Sequence, residues 1–334
     1  MDDAARPFLD AFDRHWDVYR RQFKAARRDP SEDAVHDLRV AARRFLAVLE
    51  ILRSLDTHPR VKRLRRFLKR QLDQLDELRD TQVLRAQARQ DAQAFPQLAL
   101  FEAHLEGRLE KLTRRAGQEL RSPGPSDLKA DVRQARRVAA RHSADTHLTD
   151  RLAEAVDAAH ARTLRAFGDL DSQDPAGIHR VRVAFKRLRY MIETVAPLLP
   201  RYPQDRLEHM HAYQDAMGRV HDAAVLLERL RAFAGQAPGF EAGPVEAHYE
   251  QQLRQLVRAY LDRKDEFGLF WRAAPHRPFP WEQSHEPLHR ASRHRRAAGA
   301  GRQRPGRQPA APDRAGTEEV PADRQGPARP GRAT

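Results

Sequence analysis

Two stretches of this 334-residue chain repeat one another 143 positions apart, and no other feature constrains the fold as much. Val35-His36-Asp37-Leu38-Arg39-Val40-Ala41-Ala42-Arg43-Arg44-Phe45 matches Ile178-His179-Arg180-Val181-Arg182-Val183-Ala184-Phe185-Lys186-Arg187-Leu188. A second match follows each, at a spacing of 142. Leu78-Arg79-Asp80-Thr81-Gln82-Val83-Leu84 answers Val220-His221-Asp222-Ala223-Ala224-Val225-Leu226. Two matched segments in the same order mark an internal duplication. Both members of the first pair read as helices with one apolar stripe: Leu38, Ala42, Phe45, Leu49 and Leu52 in one, Val181, Phe185, Leu188, Ile192 and Val195 in the other. Their start signals agree too. Ser31 caps the first, with Glu32 and Asp33 in its opening turn, and Asp174 caps the second, with Pro175 at its first position.

The remaining body carries the same 3.6-residue period, and no alternating β pattern interrupts it. Breaks fall at Asp29-Pro30, His58-Pro59, Phe95-Pro96, Pro123-Gly124-Pro125, Asp174-Pro175, Leu199-Pro200 and Gly243-Pro244. They leave helices near 4–28, 32–55, 60–94, 96–120, 126–142, 147–168, 176–198, 203–234 and 244–264, an all-α fold. The Pro-Gly-Pro break divides a domain of residues 1–271 into halves of about 1–122 and 126–271. Beyond it the composition changes. Residues 272–334 hold 13 Arg, no Lys, 6 Asp or Glu, and 10 of the 22 prolines, with almost no apolar period, which reads as a disordered tail.

That tail accounts for half of the formal charge of +14, so net charge is a poor guide to what the body binds. The chain has no cysteine, which removes disulfides, thiolate metal sites and Cys nucleophiles. Its first residues are acidic rather than signal-like, and no apolar run approaches the roughly 18 residues a membrane span needs. A cytoplasmic protein without membrane contact is the expectation, and neither cofactor nor metal is expected.

The informative charge is local. His36, Arg39 and Arg43 lie at i, i+3, i+7 on a face distinct from the apolar stripe, and His179, Arg182, Lys186 and Arg189 repeat the row. Like charges one turn apart repel by a few tenths of a kcal/mol, and neither row contains a compensating carboxylate. Acidic residues on neighbouring helices would make these rows structural; an anionic ligand would make them a site. Arginine grips phosphate bidentately, lysine acts as a point charge, and protonated histidine donates. Both rows also begin near a helix N-terminus, where free N–H groups favour anions. Asp80 and Asp222 recur in apolar surroundings and read as carboxylates that pair with arginine to fix helix packing.

The strings His36-x-x-Arg39-Val40-x-x-Arg43-Arg44 and His179-x-x-Arg182-Val183-x-x-Lys186-Arg187-x-Arg189-Tyr190 resemble the CHAD family, the conserved histidine α-helical domain. Tyr213-Gln214-Asp215-Ala216-Met217-Gly218 followed by His221-Asp222 adds to the resemblance, which covers about residues 8–270. It implies two four-helix bundles related by pseudo-twofold symmetry around a basic central channel. It also implies non-catalytic binding of inorganic polyphosphate, often at polyphosphate granules with other granule-associated proteins. Carried over residue by residue, His36, Arg39, Arg43 and Arg44 form one wall, and His179, Arg182, Lys186, Arg187 and Arg189 the other. Leu46, opposite Arg189, departs from symmetry. A third basic row, Arg63, Arg66 and Arg70, either extends the anion path on the first-half side or is a solvated face.

Two rival readings share some of these residues. Nucleic acid would be held nonspecifically, through the tail, because aromatic residues for base stacking are missing from the rows except Tyr190. An enzyme is the other: His221-Asp222 resembles the His-Asp pair of a metal-dependent phosphohydrolase, and Glu208-x-x-His211 the Glu-x-x-His of di-iron bundles, but both strings are short and the body holds no second Glu-x-x-His.

Overall fold

The computed structural model describes residues 7–121, 124–168, 175–199 and 201–283. Among these the chain is helical with no strand. Nine main helices follow the sequence breaks closely: α1 (Pro7–Arg28), α2 (Glu32–Leu55), α3 (Pro59–Asp91), α4 (Leu98–Glu119), α5 (Lys129–His142), α6 (Leu148–Gly168), α7 (Pro175–Val195), α8 (Asp205–Ala234) and α9 (Gly243–Leu261). A short α10 (Pro280–Gln283) ends the described chain. Ser31 caps α2 as expected, its hydroxyl accepting from the Ala34 N–H at 3.4 Å. His58 caps α3 through Nδ1, which accepts from Arg60 N–H, while Pro59 occupies the first turn where no donor is needed. The expected Asp174 cap lies outside the described residues.

Helix pairing repeats along the chain: α1 on α2, α2 on α3 and α3 on α4, then α6 on α7, α7 on α8 and α8 on α9. The two stretches meet where α2 packs against α7. Among the described residues the interior holds two apolar clusters. One apolar cluster runs through α1, α2, α5, α6, α7, the first parts of α3 and α8 and the later parts of α4 and α9, and a smaller one joins the later parts of α3 and α8 to the first parts of α4 and α9 around Phe101, Leu230 and Tyr249.

Two boundaries differ from the sequence reading. Helix α5, assigned there to the second half, packs on α3 and α1. Val132, Ala135, Val138 and Ala139 are buried on that side, and the fully buried Asp131 binds Arg60 and Arg63 of α3. The packed chain also runs past 271. Trp271 and Arg272 both donate to Asp157 at 2.7 Å, and Phe279 stacks on Trp281, which meets Tyr202 edge-on. Aromatic burial therefore outweighs the proline-rich composition of 272–283. The rest of the expected disordered tail lies outside the described residues.

Candidate anion-binding site

The apolar stripes of α2 and α7 turn Leu38, Phe45, Val181 and Phe185 fully inward, and this sets where the basic rows go. Ion pairs across the helix contact follow the repeat. Arg187 of α7 donates to Glu50 of α2 at 2.7 Å, and Arg44 of α2 stands 3.8 Å from Glu193 of α7. Arg44 and Arg187 are repeat equivalents, and so are Glu50 and Glu193, 143 positions apart. Each carboxylate gathers further cations, Arg65 and Arg53 on Glu50, Arg189 and His211 on Glu193. Arg187 and Arg189 are thus committed to structure. Arg189 is 4% exposed, donates to Gln214 at 2.8 Å and lies over the Tyr190 ring. Their expected place on a ligand wall is not where their charges go.

Arg39, Arg43, Arg182 and Lys186 do come together. Arg43 feels Arg39 and Arg182, and Lys186 feels Arg43, Arg182, Arg39 and Arg189. Burial first and these like charges second push the Lys186 ammonium down to about 6 and the Arg43 guanidinium down to about 10. Helix α3 supplies Asp76, which pairs with both Arg39 and Arg43, the latter at 3.4 Å. Arg39 also donates to the Leu72 carbonyl at 3.4 Å. The first-half row is therefore partly neutralised, and its two arginines are bridged, from a neighbouring helix. The second-half row differs. Among the described residues, neither Arg182 nor Lys186 has an ion pair, and the Arg182 Nε is buried with no hydrogen-bond partner.

The histidines sit at the heads of both rows. His179 and His221 face each other at 2.9 Å, Nδ1 to Nδ1, so one ring donates its N–H and the other accepts it. In the first half, His36 and Arg79 occupy the equivalent positions, and Arg79 donates to Glu32. Burial leads the lowering of all three imidazoles, and Arg182 adds to it for His179 and His221. Without an anion the surroundings favour the neutral rings over the charged donors the sequence suggests. Asp80 and Asp222 remain reachable by solvent and face the same cations. Desolvation raises both carboxyls against the pull of the arginines. Neither forms the arginine ion pair expected of it among the described residues. A cleft of about 250 Å³ opens beside Asp222, lined also by Val83, Gln87, Arg219 and Gln252.

The third row stays apart. Arg63 is held by Asp131 on the α5 side, and Arg70 borders a separate cleft with Phe67, Glu119 and Leu120. Arg66 is exposed. Sequence reasoning passed over Asp76, Glu50 and Glu193, although aligning the repeats beyond their matched strings exposes all three. Among the described residues, no group of three or more His, Asp and Glu side chains could hold a metal, and no helix is long and apolar enough to cross a membrane.

Comparison with known proteins agrees with this architecture. The family model described as the CHAD domain matches residues 10–231. The crystal structure of the CHAD domain from the plant Ricinus communis superposes with a TM-score of 0.57 at 20% identity, covering 81% of this chain and 91% of that one. A search of curated proteins returned no match. The family match spans both repeats and the seam between them, and the chain belongs to the CHAD-domain family.

Proposed function

We propose that this protein binds inorganic polyphosphate without catalysis, along the seam where α2 and α7 bring their cationic rows together. The observation that carries the reading is the state of Arg182 and Lys186: half-buried, adjacent, and without a carboxylate partner among the described residues. A buried guanidinium with an unmade hydrogen bond costs about 1–3 kcal/mol, which an anion at the seam recovers. A phosphate chain supplies oxygens in series and asks for no stacking surface. The seam fits that demand: three arginines, and a lysine that an arriving anion protonates, on two packed helices, with His179 and His221 at one end. Binding in a cytoplasmic compartment, at granules where other proteins gather, follows from the same reading.

The test is binding of long-chain inorganic polyphosphate by the full chain, followed as salt is raised. We expect binding that weakens steeply with salt, because each contact releases counterions. Duplex DNA and RNA at equal phosphate concentration are expected not to displace it. Displacement by either would make the protein a nucleic-acid binder, and phosphate release during the assay would make it a hydrolase.

A further inference from the structure

Position 218 is where the two repeats part company in chemistry. Applying the 142-residue spacing that pairs Asp80 with Asp222 places Gly218 opposite Asp76. Asp76 is the carboxylate that satisfies Arg39 and Arg43. Gly218 stands beside Arg182, the repeat equivalent of Arg39, and a Cβ built there would come 3.9 Å from the Arg182 Nε, an ordinary contact. A Cβ is therefore accommodated, and what the position lacks is the carboxylate. Among the described residues, Arg182 Nε is buried with no hydrogen-bond partner, and Lys186, equivalent to Arg43, faces arginines without an ion pair.

We infer that Gly218 selects the second-half wall as the anion-holding wall, because its missing carboxylate leaves Arg182 and Lys186 open where Asp76 closes Arg39 and Arg43. Asp76 acts as a built-in stand-in for phosphate, occupying on one wall the place that a ligand oxygen takes on the other. The two halves of the duplication thus have separate roles, one for cohesion and one for binding. This inference rests on the polyphosphate reading above and adds which residue sets where on the seam the chain is gripped.

The experiment measures polyphosphate affinity of the full chain for wild type, Gly218→Ala, Gly218→Asn, Gly218→Asp and Asp76→Asn. A lost charge-assisted contact corresponds to roughly tenfold or more in affinity, so Gly218→Asp is expected to weaken binding by at least about tenfold. Gly218→Ala is expected to stay within about twofold, because its methyl group meets only an ordinary contact, and Gly218→Asn to lie nearer Ala than Asp. Asp76→Asn, which frees Arg39 and Arg43, is expected to tighten binding severalfold. Helicity and melting temperature are followed in parallel; should Gly218→Asp fail to fold, the Asp76→Asn result decides. Wild type binding well with Gly218→Asp binding equally overturns this inference alone, as does unchanged affinity in Asp76→Asn. No binding by wild type overturns it together with the proposed function.

Discussion

The two repeats bring the same helix to the same seam and finish it differently. In the first, Arg39 and Arg43 are closed by Asp76, while Arg44 leans toward Glu193 across the contact. In the second, Arg187 is closed by Glu50, but the Arg182 charge helps hold the Lys186 ammonium down, with glycine where the aspartate would be. Duplication supplies two copies of the row His36, Arg39 and Arg43, and a single neighbouring position decides which copy is structural. A basic row becomes a site through what its neighbours omit. That is why a count of arginines says so little here.

The comparison is broken most forcefully at the two seam carboxylates. Glu50 is 5% exposed and holds Arg65, Arg187 and Arg53, so Glu50→Ala leaves the largely buried Arg65 unpaired beside two more exposed arginines. A loss of about 3–5 kcal/mol is expected, read by urea unfolding. Glu193 is less enclosed, and Glu193→Ala is expected to cost about half as much. Equal losses would mean the two halves carry the seam alike.

The acidic residues facing the cations sharpen the comparison next. Removing the Asp222 charge with Asp222→Asn lifts a repulsion from the open wall, and polyphosphate affinity is expected to rise severalfold. Asp80→Asn also raises it, by less if the first-half wall is already occupied by Asp76.

Proton uptake distinguishes the halves more gently. Lys186, lowered to about 6, and His179 face Arg39 and Arg43 from α2, Asp80 from α3, Arg182 and Arg189 from α7, and His221 and Asp222 from α8. An anion among them favours the protonated forms, so binding takes up protons and affinity rises as pH falls from about 8 toward 6. Lys186→Met removes much of that dependence. The ligand-free protein shows the opposite slope. An unfolded lysine keeps its proton to about pH 10.4, so unfolding takes up a proton between about 6 and 10.4, and stability climbs with pH across that window. Calorimetry at several pH values reads both effects.

The smallest effect is expected at the third row. Arg66→Glu and Arg70→Glu alter exposed residues outside the cation cluster and should shift stability by less than about 0.5 kcal/mol. Polyphosphate affinity should change far less than for any seam variant. A large loss there would return the row to the anion path.

Most of the fold was legible in the chain because helices with clear apolar stripes and proline breaks announce themselves locally. The nine helix spans agree with the sequence reading to within a few residues. Tertiary assignments were harder. Nothing local in Lys129–His142 says that it packs backward on α3, since Asp131 finds Arg60 and Arg63 some 70 positions earlier. The ordering of 272–283 was hidden by composition, because three aromatic residues, Trp271, Phe279 and Trp281, outweigh several prolines once they reach a common pocket. At the site, the rows were visible, but which cations are spoken for was not. That depends on Asp76, Glu50 and Glu193, which lie outside the matched strings and act from neighbouring turns or helices.

The most direct measurement compares two double variants that remove the same charge from opposite walls. Arg182→Gln with Lys186→Gln and Arg39→Gln with Arg43→Gln are each titrated with long-chain polyphosphate at one salt concentration and neutral pH. The second-half pair is expected to lose about fiftyfold or more in affinity, and the first-half pair about fivefold or less, with both still helical. Equal losses, or a larger loss from the first-half pair, would contradict the division of roles between the walls.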